Sequence, residues 1–361
     1  MIRNKELVRR MSLKERIGLI TSVKFGECRS PGNYVFPVLK ISPNPAAETE
    51  GKFATLFPSD KALASSWNLS LVRNVYKCIG NEAKANAPYG CFQITNNRVY
   101  ENVSEDYYFT GKFLASKARG LNLSGAHVSF LDAPGGENEL HVRESVKLIT
   151  DSVLTESEPD SLCLPAVAAA EEFPARYGAE GILFGVAYRK EEIAQYFFRG
   201  CTLVFLQEEF AEEAEDYLVA LTEEYRRSKE EYDAGGISLT EFDRRMRSGE
   251  ILAEETVTAA CDRMVSLLLD LKGRGAASVS ETLVAIDKSS HDALFNEIYH
   301  DKLAYRAAQQ SAVLLKNREN ILPLGAGAKI AVLGEAAKDA SYAYAGNKNR
   351  ATALKLPFDL F

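Results

Sequence analysis

Short apolar runs separated by helical stretches constrain this chain more than any other feature. Residues 36–41, 91–95, 126–131, 181–188 and 202–206 each hold a nearly unbroken run suited to a strand covered on both faces. Between most of them lie segments with helical spacing, 60–87 and 109–121 among them. Strands alternating with helices predict parallel β-α units, and a right-handed succession of such units curls toward a barrel. The chain has 361 residues, enough for a barrel and a smaller second piece.

Local signals mark the helix boundaries. Ser12 and Glu15 form a capping box that opens a short amphipathic helix, and Ser238 and Glu241 form a second. Residues 208–272 read as almost wholly helical and strongly charged, with a break at 233–236. Residues 273–280 are small and polar, as in a linker. A helix ending near Lys316, a proline-containing turn at 321–324 and a strand at 329–333 follow.

Composition narrows the function classes. Apolar residues make up 46% and charged residues 26%, the balance of a soluble globular protein. The net charge of -7 comes with no long block of either sign, which points away from nucleic-acid and membrane partners. The first twenty residues carry charges throughout, unlike a secretory leader, and no stretch approaches the ~20 apolar residues of a membrane span. Six widely spaced cysteines without a CxxC pair fit reduced, buried thiols and a cytoplasmic location.

Several patterns imitate sites and lack the chemistry. Residues 230–241 have the outline of a calcium loop, but Tyr232 and Ala234 stand where oxygen ligands are needed, so a helix-turn-helix is expected. Gly325 and Gly327 precede the expected strand and cannot cradle a dinucleotide phosphate behind it. His127, His141, His291 and His300 have no metal-ligand spacing, so neither a metal nor a cofactor is expected.

Motifs along nearly the whole chain resemble those of the family 3 glycoside hydrolases, the β-glucosidase-like enzymes. Met11–Glu15 is similar to the family's opening helix, and Leu56–Asp60 with Ala62–Asn68 is similar to the segment after its first barrel strand. Arg98–Asp106, Thr110–Lys112 and Arg119–Leu121 continue the match, and 248–272 resembles the closing barrel helix. Ser311–Asn317 with Ile321–Leu324 resembles the entry into the second domain, and Lys329–Gly334 its first strand. The resemblance implies a partial or shortened (β/α) TIM-like barrel over 1–275. A linker helix and the start of a second α/β layer then occupy 276–361.

The same resemblance implies that the catalytic machinery is gone. Retaining glycosidases need two carboxyl groups ~5–5.5 Å apart, one of them a nucleophile. Gly178 and Gly181 anchor an alignment that puts Val186 at the nucleophilic aspartate, and a valine has no lone pair with which to attack. Ser129 and Phe130 stand at a sugar-holding lysine and histidine, Pro43 and Thr202 at two aspartates. Only a short stretch separates Leu164 and Pro165 from Tyr177 and Gly178, so the segment carrying a further family strand reads as deleted, and the chain stops soon after the second domain begins, before the region that carries the acid/base. Arg98 remains at a sugar-binding arginine with Glu101 beside it, or else pairs with Glu101 or Glu105 to hold a loop. Asp132, Glu137 and Glu139 follow a strand end and could form a new carboxylate pair, although their turn-rich surroundings suit a solvated loop.

The leading expectation is therefore a catalytically inactive family 3 homologue, a binding or partner subunit in carbohydrate metabolism. Its expected partners are another copy or a related glycosidase chain, with a carbohydrate as possible ligand. The alternatives are an active β-glycosidase using Asp132 and Glu137, and a fragment without independent function.

Overall fold

The computed structural model describes residues 5–22, 40–42, 55–86, 90–95, 103–131, 140–157, 159–164, 167, 182–276 and 297–334. Its centre is a parallel sheet of seven described strands: β1 (Thr21–Ser22), β2 (Lys40–Ser42), β3 (Gly90–Thr95), β4 (His127–Leu131), β5 (Ser161–Leu164), β6 (Ile182–Ala187) and β7 (Leu203–Leu206). The order is β1-β7-β6-β5-β4-β3-β2, every neighbouring pair parallel. Apart from the flanking pair β1 and β2, each strand lies beside the next in sequence, which is the cyclic order of a (β/α) barrel opened between β1 and β2. The α/β class and the parallel units expected from the sequence are those observed.

One strand is not among the apolar runs expected from the sequence. This is β5, which pairs with β4 through Ser129 and Ser161 and with β6 through Cys163 and Phe184. Its four residues, all buried, form a run too short to stand out from its surroundings. The stretch that reads as carrying a deletion, between Pro165 and Tyr177, lies outside the described residues apart from Val167.

Helices cover the sheet. They include α1 (Lys5–Arg10), α2 (Leu13–Ile20), α3 (Asp60–Ser65), α4 (Leu69–Asn86), α5 (Tyr107–Leu123) and α6 (Leu140–Ser157). Beyond β6 come α7 (Glu192–Phe198), α8 (Glu208–Asp233), α9 (Leu239–Ser248), α10 (Glu254–Ala276) and α11 (Glu297–Ser311). The Ser12 box closes both ways: Glu15 N–H donates to Ser12 Oγ at 3.2 Å, and Ser12 N–H donates to the Glu15 carboxylate at 2.8 Å. Helices α4 and α5 approach so closely that a Cβ on Gly120 would lie 2.4 Å from the Arg73 carbonyl oxygen.

The charged region forms the expected helical hairpin in place of a calcium loop, with the turn at Gly235 in the left-handed region, φ +79°. Ser238 caps α9, but Glu241 turns its carboxylate to Arg244 and Arg245 at 2.9 and 3.2 Å. Hydrogen bonds from those two guanidinium groups, Arg244 first, lower the Glu241 carboxyl to about 2. Helix α10 runs through to Ala276, past the start of the expected linker, and α11 stops at Ser311, short of Lys316.

The expected strand at 329–333 is also corrected. These residues are irregular and lie open to solvent, with Leu333 89% exposed. Apolar, β-branched residues favour extended backbone, but a strand exists only where a neighbour takes its hydrogen bonds, and none of the described strands does.

Candidate functional site

In a parallel α/β protein the chemistry gathers at the C-terminal strand ends, and β6 brings Val186 there. A Cβ on Gly185 would lie 2.6 Å from the Tyr196 ring of α7, so that side of β6 faces the helices. Alternation along the strand then turns Phe184 and Val186 to the opposite, inner face. Val186 pairs in register with Phe205, and the rings of Phe184 and Phe205 meet edge to face with centroids 6.0 Å apart. Val186 is 2% exposed within the hydrophobic core. Tyr196 donates its hydroxyl to the Val186 carbonyl oxygen at 3.0 Å, and burial pushes that phenol's pKa up, keeping it a neutral donor.

Register carries the inner face across to Cys163 on β5 and Ser129 on β4. Ser129 is fully buried, and its Oγ has no hydrogen-bond partner among the described residues. Phe130, the next residue, faces the helix layer. Below Ser129 on the same face, His127 Nε2 lies 3.0 Å from Ser161 Oγ, a buried polar contact near the N-terminal strand edges. Thr202 is also buried there, just before β7. Its Oγ1 accepts a hydrogen bond from Arg263 Nε at 3.0 Å, while Arg263 also donates to the carbonyls of Gly200 and Cys201. That role ties a loop to α10 and lies at the opposite strand end from Val186.

Arg98, Glu101, Asp132, Glu137, Glu139 and Pro43 lie outside the described residues. Among the described residues no group of His, Cys, Asp and Glu could hold a metal ion. Cys78, Cys163, Cys201 and Cys261 are buried thiols outside any disulfide, and burial pushes the Cys201 thiol up to about 12, far from a reactive thiolate.

Two buried charged clusters went unseen in the sequence. Glu82 Oε1 lies 2.6 Å from His300 Nδ1 and accepts the Thr55 hydroxyl at 2.6 Å, while Thr55 N–H donates to Glu82 Oε2 at 3.0 Å. This ties α11 to α4 and the chain before α3. Lys117 Nζ of α5 lies 2.8 Å from Asp60 Oδ2 at the start of α3, and the Tyr76 hydroxyl of α4 bonds the other Asp60 oxygen. Burial alone would lower the Lys117 pKa, but the Asp60 carboxylate and the Tyr76 oxygen more than offset it and hold the ammonium charged. Both clusters join helices in the outer layer, so they fasten the scaffold.

The fold and the strand-end geometry define a barrel-type α/β protein whose described inner face around β6 is packed with side chains. No family model matches the chain. Thermostable beta-glucosidase B of Acetivibrio thermocellus is 23% identical over 376 residues, spanning 96% of this chain and 46% of that protein. Probable beta-glucosidase I of Emericella nidulans is 23% identical over 360 residues, 94% of this chain and 41% of its own length. Among solved structures, the Bifidobacterium adolescentis GH3 beta-glucosidase superposes with a TM-score of 0.63 at 20% identity, over 92% of this chain and 48% of that one. Beta-glucosidase 3B of Thermotoga neapolitana with glucose gives 0.61 at 18% identity, over 89% and 48%. The chain is family 3-like in sequence and fold, and it spans about half the length of the relatives it matches. No helix among the described residues is long and apolar enough to cross a membrane.

Proposed function

We propose that this chain is a family 3 homologue that does not hydrolyse glycosides and serves carbohydrate metabolism as a binding or partner subunit. The observation that carries the reading is Val186, an apolar side chain buried in the core at the position aligned with the nucleophile. Covalent glycosyl transfer needs a nucleophile exposed to substrate, and Val186 offers neither the atom nor the access. The expected result is no turnover of aryl β-glucosides, β-xylosides or N-acetyl-β-glucosaminides above a buffer blank. Turnover that disappears on Asp132→Asn or Glu137→Gln would instead support an active enzyme with carboxylates in new places.

The surface supports a partner. Val313, Leu314, Leu315, Ile321, Leu324 and Leu333 are all exposed on one stretch behind α11, with Leu315 91% open to solvent. Several large apolar side chains exposed along one stretch suit an interface. The stretch is assigned to self-association, with docking of a related glycosidase chain as the other arrangement. Sedimentation over a wide concentration range should show species larger than the monomer. A strictly monomeric, soluble chain whose residues 329–333 resist hydrogen exchange would oppose the assignment.

A further inference from the structure

Among the described residues the inner face around Val186 is packed, which turns attention to the outer surface. We propose that Trp67 is a platform for a neutral pyranose unit of an oligosaccharide. This rests on the reading above that the chain engages carbohydrate without cleaving it.

The platform sits where the α3–α4 turn meets the first turn of α5. Trp67 is 69% exposed although it is the largest type of apolar side chain, and its φ of +52° is a conformation bulky residues rarely adopt. Outliers of this kind persist where the surroundings hold them, often at binding sites. Here Phe109 backs the indole, with ring centroids 4.4 Å apart and planes tilted by 38°. Phe109 is itself fixed, because its N–H donates to the capping carboxylate of Asp106 at 3.0 Å. One face of the indole is thus supported, and the ring as a whole stays largely open to solvent. Tyr108 is 58% exposed, with Lys112 Nζ 5.1 Å above its ring and Lys112 paired to Glu156 of α6. Glu105 and Asp106, both exposed, supply carboxylates on the same helix start.

An exposed indole backed by Phe109, with the acceptor carboxylates of Glu105 and Asp106 at the start of the helix that carries Phe109, matches the chemistry of a pyranose. Its axial C–H face packs on a π surface, and its equatorial hydroxyls donate to acceptors at the edge. The exposed apolar stretch behind α11 has a different character, aliphatic and irregular. The α3–α4 turn also divides the two surfaces: Asn68 reaches α11, donating to Gln310 Oε1 at 2.9 Å, while Trp67 turns to Phe109 of α5.

Trp67 is the chain's single tryptophan, so intrinsic fluorescence reads this site directly. The whole chain would be titrated with cellopentaose, laminaripentaose and xylopentaose. A saturable blue shift and loss of acrylamide quenching are expected with at least one sugar. Affinity electrophoresis in the matching polysaccharide should show Trp67→Ala weakening retardation about tenfold, with Trp67→Phe retaining part of the binding. Circular dichroism would confirm that each variant is folded, and Trp67→Phe carries the test if Trp67→Ala is not. No spectral change and no retardation with any of the three sugars would overturn the platform. So would a blue shift that follows protein concentration without sugar, which would assign the patch to a protein contact. Chromatography of the same mixtures separates the two readings. Cleaved sugar with Trp67-dependent binding leaves the platform standing and removes the non-catalytic reading, whereas intact sugar without binding removes the platform alone.

Discussion

Placing an aspartate at Val186 is expected to lower the unfolding free energy by about 3–5 kcal/mol, the scale for an uncompensated charge in a protein interior, and to create no glycosidase activity. Val186 is surrounded by core side chains, and the Tyr196 hydroxyl is engaged by the Val186 carbonyl. The new carboxyl would therefore be desolvated without a partner, and its folded-state pKa would rise above the unfolded value. The sign of the pH dependence follows. The penalty is absent below the unfolded pKa of about 4 and grows with pH until the folded-state pKa is passed. Urea denaturation of Val186→Asp against wild type at several pH values measures this, with Val186→Ala as a control for lost volume, expected at about 2 kcal/mol. A Val186→Asp variant as stable as wild type at neutral pH, and able to turn over an aryl β-glucoside, would mean an open pocket already furnished with an acid/base.

What the sequence revealed and what it hid divide along a physical line. Features set by local spacing were legible: the β-α alternation, the Ser12 capping box, the helical hairpin at 233–236 and the apolar character of β6 at Val186. Features set by partners distant in sequence were not. Glu82 and His300 are 218 positions apart, Lys117 and Asp60 57 apart, and no periodicity announces either pair. Strand β5 was missed because four residues give too little pattern, although pairing on both edges makes the strand secure. The stretch at 329–333 failed in the opposite way. It has the composition of a strand, but composition cannot supply the neighbour that makes one. For the candidate site, the residue at position 186 was legible while the packing around it, with Phe184, Phe205 and Tyr196, required the fold.

Removing the ammonium of Lys117 should be the other large effect, about 3 kcal/mol for Lys117→Met, the low end of the range for breaking a buried ion pair. Two features moderate the loss. Methionine keeps most of the aliphatic stem, which lies over the Tyr76 ring with Nζ 4.7 Å from its centroid. Asp60 also retains the Tyr76 hydroxyl and stands in the first turn of α3, where the helix dipole favours a negative charge. The double variant Asp60→Asn with Lys117→Met should recover part of the stability, because it removes the stranded carboxylate as well as its partner. Chemical denaturation of the four members of the cycle gives the coupling. A loss below about 1 kcal/mol for Lys117→Met would place the pair among solvated surface ion pairs and contradict its burial. The same pair bears on Trp67, since Asp60 begins the short helix that ends at Ser65, just before it. Freeing α3 from α5 should let the indole leave Phe109, so Lys117→Met is expected to raise acrylamide quenching of Trp67 under conditions where the chain remains folded. Unchanged quenching in a destabilised variant would show that Phe109 and the α3–α4 turn hold the ring without help from the buried pair.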